Sequence, residues 1–152
     1  MPLNTSKIVQ SFLLSSAEIT LDSLGIVRVK YLKGQLIDVA QKKEHHNIFL
    51  KITKGVKHPF IFSAESFVNI TKEAKEYGIE VEHLQPFLAT AIVVDNIAYQ
   101  LIADFYFKFY KPKTAYKVFK SEERAIEWLN EIKLNPPAFK SKTKSKLQFS
   151  DF

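Results

Sequence analysis

A chain of 152 residues that is 46% hydrophobic is long enough to bury one core of its own, which argues for a single domain. The absence of cysteine excludes disulfides, thiol nucleophiles and cysteine-based zinc sites together, and suits a reducing cytoplasm. The net charge of +6 is uneven: residues 133–152 hold five lysines against Asp151, which leaves only +2 for the first 132 residues, too little to mark the globular part as a nucleic-acid surface.

No apolar run approaches the length of a membrane span. The opening stretch MPLNTSKIVQSFLLSS has one lysine and a short apolar patch broken by Gln10 and Ser11, a poor secretory signal, so a cytoplasmic protein is expected. Residues 1–16 show no clean period and stay unassigned, apart from a strand near Phe12–Leu14. From Ala17 the pattern sharpens. Ile19 and Leu21 alternate with polar residues, Asp22-Ser23-Leu24-Gly25 turns the chain, and Val27, Val29 and Tyr31 alternate again, which predicts a β-hairpin.

A first helix is predicted from Asp38 to about Thr53, with Asp38 and Gln41 as a capping box and Lys54-Gly55 as the stop. Pro59 opens a short buried strand, PFIFS. A second helix starts with Thr71 as N-cap, and Gly78 is expected to interrupt it, leaving a kinked or continuing turn before Pro86. Ala89–Phe119 then reads strand, Phe-rich helix, Lys111-Pro112-Lys113 break, strand: a parallel βαβ unit. Ser121 caps a last helix whose Ala125, Trp128, Leu129 and Ile132 recur on one face. Asn135-Pro136-Pro137 ends it, and the Lys/Ser/Thr tail of residues 133–152 is read as a solvated, disordered end. As a functional element, that tail would be a loose electrostatic tether to nucleic acid or an acidic surface.

The predicted order is thus a hairpin followed by alternating helices and strands, an α/β fold with helices packed on a mostly parallel sheet. The segments FIFSAESFVNITKEAKEYG, AIVVDN, FKFYKP and VFKSEERAIEWL within it resemble the bacterial SpoIIAA-like proteins of the STAS group (sulfate transporter and anti-sigma factor antagonist domains) over residues 17–132. The resemblance implies one STAS-like domain. Anti-sigma antagonists of this group carry an Ile-Asp-Ser-Ser-Gly-type motif whose serine accepts phosphate. Here Ile70 fits, but Thr71 stands at the Asp position and Lys72 and Glu73 at the serines. The usual phosphoacceptor is missing, and Thr71 is the one weak substitute, opposed by Glu73.

Motifs for chemistry are sparse. His45 and His46 are adjacent rather than i, i+4, and His58 and His83 are scattered, so no metal site is expected. There is no phosphate-cradling glycine motif, no nucleophile–base pair can be named, and Asp38, Asp95 and Asp104 read as a cap, a strand end and a surface stripe. No cofactor is expected. The Phe-rich helix says more. On a helical wheel Ala98, Leu101, Ile102, Phe105 and Phe109 form the expected core-facing arc, Asn96, Gln100, Asp104 and Lys108 a polar stripe, and Tyr99, Tyr106, Phe107 and Tyr110 a flank of aromatics outside both. These four are the candidate interface or ligand surface. The expected function is a non-catalytic binding or regulatory module that forms a homodimer or binds a protein partner. The alternative is a carrier holding an apolar ligand between the sheet and the Phe-rich helix.

Overall fold

The computed structural model describes residues 6–96, 99, 101, 103 and 110–135. Its sheet of six strands runs β1 (Ile8–Leu13), β2 (Ala17–Asp22), β3 (Val27–Tyr31), β5 (His58–Ala64), β7 (Phe87–Val93), β8 (Tyr116–Phe119) across its width. Antiparallel pairing joins β1 to β2 and β2 to β3, and every later pair is parallel. Two residues each of β4 (Leu36–Ile37) and β6 (Asn69–Ile70) make a separate parallel ribbon. Helices α1 (Val39–Thr53), α2 (Lys72–Glu80) and α3 (Glu122–Leu134) follow β4, β6 and β8. Tyr99, Leu101, Ala103 and Tyr110, between β7 and β8, are helical.

The strand order β3-β5-β7-β8 is sequential, and each of its connections returns to a parallel neighbour. Right-handed crossovers in such a series all leave on the same side of the sheet. Two cores result. Val27, Val29, Tyr31, Phe60 and the inner residues of β2 pack under Phe49 and Ile52 of α1. On the opposite face, Ile61, Ala89 and Ala91 pack under Ala125, Trp128, Leu129 and Ile132 of α3, the four residues predicted to face inward. The alternation of β5 makes the split visible in three residues: Phe60 and Phe62 belong to the first core, and Ile61 between them to the second.

The hairpin turn is fastened by a buried carboxylate. Asp22 Oδ1 accepts the backbone N–H groups of Leu24 and Ile26, both at 2.9 Å, while Oδ2 pairs with the Arg28 guanidinium. Arg28 also reaches Glu122 in the first turn of α3 at 3.2 Å, and Lys133 in its last turn donates to the Leu24 carbonyl. Gly25, at φ +84°, supplies the left-handed backbone that the turn needs.

The capping box at Asp38 is formed as predicted: its carboxylate accepts from Val39 N–H at 2.8 Å and Gln41 returns to the Asp38 N–H at 2.9 Å. The cap also does something the spacing does not show. Thr71, N-cap of α2 and acceptor from Ala74 N–H at 3.0 Å, donates its hydroxyl proton to Asp38 Oδ1 at 2.8 Å. With the β4–β6 ribbon behind them, two helices start side by side on one shared carboxylate.

Three expectations shift. β1 begins at Ile8, inside the stretch without a period; as an edge strand with nearly every residue exposed, it has no buried face to impose one. Gly78 does not interrupt α2, which continues to Glu80 and passes into a 3-10 turn at Glu82–Leu84. Leu101, assigned to the core-facing arc, is 63% exposed. Tyr99, Ala103 and Tyr110, spaced by four and seven, line one cavity instead.

The thread from Asp38 to Thr71 predicts a pH signature. Those hydrogen bonds, from Thr71 first and Val39 second, hold the Asp38 carboxyl below its usual value. Its contribution is full above the ordinary aspartate range and lost as the pH falls through the lowered value. Asp38→Ala is expected to lower the melting temperature at neutral pH, with the gap to the parent chain closing below about pH 4 in thermal scans.

Candidate functional site

Ligand sites on parallel α/β sheets lie beyond the carboxyl ends of the strands, where successive loops diverge. Over one face of this sheet lies a cavity of about 630 Å³, within the ~300–1,000 Å³ typical of small-molecule sites, and its lining reaches the carboxyl ends of the strands at Tyr31, Ala64 and Val93. Its floor is Phe62 of β5, Phe87, Thr90 and Ile92 of β7, and Phe49 reaching down from α1. Phe49, Phe60, Phe62 and Phe87 interlock, with edge-on pairs at 4.6 Å (Phe60–Phe87) and 5.1 Å (Phe49–Phe60). Such pairs add ~0.5–1.5 kcal/mol each beyond area burial, so the floor is rigid. The end of β5 and the approach to α2 supply Val68 and Ile70, and Tyr99, Ala103 and Tyr110 close the far side.

The wall formed by α2 explains why there is space. Its inner face carries Ala74 and, one turn on, Gly78. A Cβ at Gly78 would meet nothing within 4 Å. A leucine at each position would fill the gap between α2 and the sheet; alanine and glycine leave it open. Below the wall, the Glu82 carboxylate ties the 3-10 turn to the segment before β8 by accepting N–H groups of Lys113 (3.2 Å) and Thr114 (2.9 Å).

One end of the cavity is polar. Tyr31, at the carboxyl end of β3, stacks on His45 of α1 with ring centroids 5.7 Å apart. Lys42, one turn before His45, donates to the Tyr31 hydroxyl at 3.1 Å. His45 is 1% exposed; its Nε2 is 2.8 Å from Ser16 Oγ, and its Nδ1 is buried without a hydrogen-bond partner. Burial first, and the Lys42 charge second, pull its pKa from 6.5 to about 4, so the folded protein holds a neutral imidazole. Hydroxyl against imidazole is the geometry of a nucleophile and its base. Ser16, however, is 1% exposed and does not line the cavity, and among the described residues no carboxylate is hydrogen-bonded to His45 to orient it. The pair fastens α1 to the β1–β2 turn.

Of the aromatics singled out in the sequence, Tyr99 and Tyr110 line the cavity. Tyr106 and Phe107 lie outside the described residues, as does Asp104. Thr71 sits at the N-terminus of α2, its hydroxyl engaged both as donor to Asp38 and as acceptor from Ala74. His45 meets Ser16 and His46 Nδ1 meets Gln85 Oε1 at 2.7 Å, so the two adjacent histidines of α1 point to different partners, while His58 Nδ1 meets the Val56 carbonyl at 2.8 Å. Among the described residues no three His, Asp or Glu side chains are placed to hold a metal, and no helix is long and apolar enough to cross a membrane. Lys42 and His45 escaped the sequence reading because they sit in the polar run QKKEHHN. The signal was the spacing of His45, Phe49 and Ile52, which carries the buried face of α1 one turn further back than its apolar residues do.

A buried neutral histidine makes stability depend on pH. Between pH 6.5 and about 4 the unfolded chain binds a proton that the folded one refuses. Stability is therefore full above 6.5 and is expected to fall by on the order of 3 kcal/mol as the pH drops toward 4. Urea titrations across this range should show the slope, and His45→Gln should flatten it.

No curated protein matches the chain. Among solved structures, an uncharacterized protein of the DUF3478 family from Shewanella loihica PV-4, described as having a SpoIIAA-like fold, is similar at a TM-score of 0.52. The match covers 83% of this chain and 96% of that one at 11% sequence identity. Six strands in this order with helices on both faces are that fold, as the sequence words suggested. The family described as Domain of unknown function (DUF7793) matches residues 19–133, from β2 to the last turn of α3, and the chain belongs to it.

Proposed function

We propose that the protein is a non-catalytic binding module that holds one apolar small molecule between the phenylalanine floor of the sheet and the helical crossover after β7. The observation that carries this reading is the cavity itself: about 630 Å³, apolar over most of its wall, and held open by Ala74 and Gly78 where larger residues would close it. A packed interior leaves few voids larger than a water molecule, so a space of this size over an interlocked floor fits a ligand better than a packing fault. The neutral fluorescent probe phenylnaphthylamine is expected to bind saturably, one per chain. Gly78→Trp, which adds a ring on a helical glycine with open space at its Cβ, should keep the fold and abolish the binding. Retained binding in that variant counts against the cavity as the site.

Self-association is a second reading, favoured by β1. It is an edge of the sheet, has no charged residue along IVQSFL, and leaves Ile8, Val9 and Leu13 exposed at 66%, 62% and 73%. Edge strands are ordinarily protected by charge or by cover. A second copy meeting β1 antiparallel about a two-fold axis would cover this edge and continue the sheet. Sedimentation equilibrium is expected to give a dimer, and Val9→Lys a folded monomer.

A further inference from the structure

We propose that the ligand of the cavity is a monocarboxylate with a long apolar body, its carboxylate held by Lys42 Nζ and the Tyr31 hydroxyl and its body lying over the phenylalanine floor. This rests on the cavity being a ligand site, and adds the chemistry of the head group.

The argument is one of donors without acceptors. Lys42 lines the cavity, half-buried, and takes part in none of the ion pairs of the described residues; its hydrogen bond goes to a neutral oxygen, the Tyr31 hydroxyl. Because that oxygen accepts from Lys42, the Tyr31 O–H proton is left to donate, and the cavity lies beside it. Two donors, one of them charged, meet at the polar end of a cavity that is otherwise apolar. A carboxylate, with two oxygens and four lone-pair directions, accepts from both and supplies the counter-charge that Lys42 lacks.

The acidic groups along the same wall do not fill that role. Glu65 accepts from the Lys33 N–H at 2.9 Å and faces Lys30 at 3.8 Å, while Glu82 is bound to the backbone before β8. Asp95 is an exposed residue at the end of β7. A neutral alcohol with the same body would leave the ammonium uncompensated. A quaternary amine would meet Lys42 with like charge.

Displacement of bound phenylnaphthylamine from the full chain at neutral pH, by dodecanoate and by dodecanol, tests this. Dodecanoate is expected to displace the probe at a concentration about tenfold lower than dodecanol, the worth of exchanging neutral for charge-assisted hydrogen bonds. Lys42→Met should erase most of that ratio and Tyr31→Phe part of it, both leaving dodecanol unchanged; Lys54→Met, in the exposed cap of α1, should leave the ratio intact. Equal displacement by acid and alcohol, or a ratio that survives Lys42→Met, overturns the carboxylate assignment while the cavity reading stands. A probe bound but displaced by neither compound overturns it as well. Failure of the probe to bind at all overturns the cavity reading, and this inference with it.

Discussion

Once β3, β5, β7 and β8 pair in parallel and in sequence order, the chain has no choice about where its connections go. Each crossover must return over the same face, so α1, α2 and the helical residues between β7 and β8 are laid side by side above one surface of the sheet. Among the described residues the other surface carries α3, whose apolar face of Ala125, Trp128, Leu129 and Ile132 covers the middle of the sheet there. Everything distinctive about the molecule follows from how well the crowded side is filled. Under α1 it is packed by Phe49 and Ile52 on Val27, Val29 and Phe60. Under α2 it is not, because that helix turns Ala74 and Gly78 toward a floor made of phenylalanines.

The polar end of the cavity shows how the fold holds charge next to an apolar interior. Burying a lone ammonium is costly, and Lys42 avoids that cost by remaining half-exposed, with its nitrogen against the Tyr31 hydroxyl and near the face of the ring. His45, one turn deeper, cannot reach solvent, and so it gives up its proton instead. The two residues solve one problem at two depths. The stack of Tyr31 on His45 then transmits the position of α1 to the end of β3, which is why the cavity has a defined rim at that corner.

Much of this was legible in the residues and some was not. The hairpin at Asp22–Gly25, the capping box at Asp38, the caps at Thr71 and Ser121 and the inward face of α3 are local matters, set by neighbours within four positions, and a sequence displays them directly. The ribbon of β4 with β6 was invisible, since two residues have no period and their partners are 33 positions away. In the Phe-rich segment one residue, Leu101, was misplaced. A wheel ranks residues by apolarity and so sent Leu101 inward; tyrosine rings are as able to line a cavity, and Tyr99 and Tyr110 do. Gly78 was read as punctuation, the usual sense of glycine in a helix, whereas the missing side chain matters here because of what it fails to fill. A cavity is the least legible feature of all, because it is a property of what several distant elements leave out.

The sparse inner face of α2 has a kinetic side. Of its nine residues only Ala74 is buried, so the helix is retained chiefly by its cap on Asp38, the ribbon that precedes it and the turn that follows. Segments with little buried apolar surface open at free energies well below that of global unfolding, independently of the rest of the domain. The amides of α2 are therefore expected to exchange with solvent hydrogen sooner than those of α1 or α3. On the proposed reading, the wall that borders the cavity also supplies its way in.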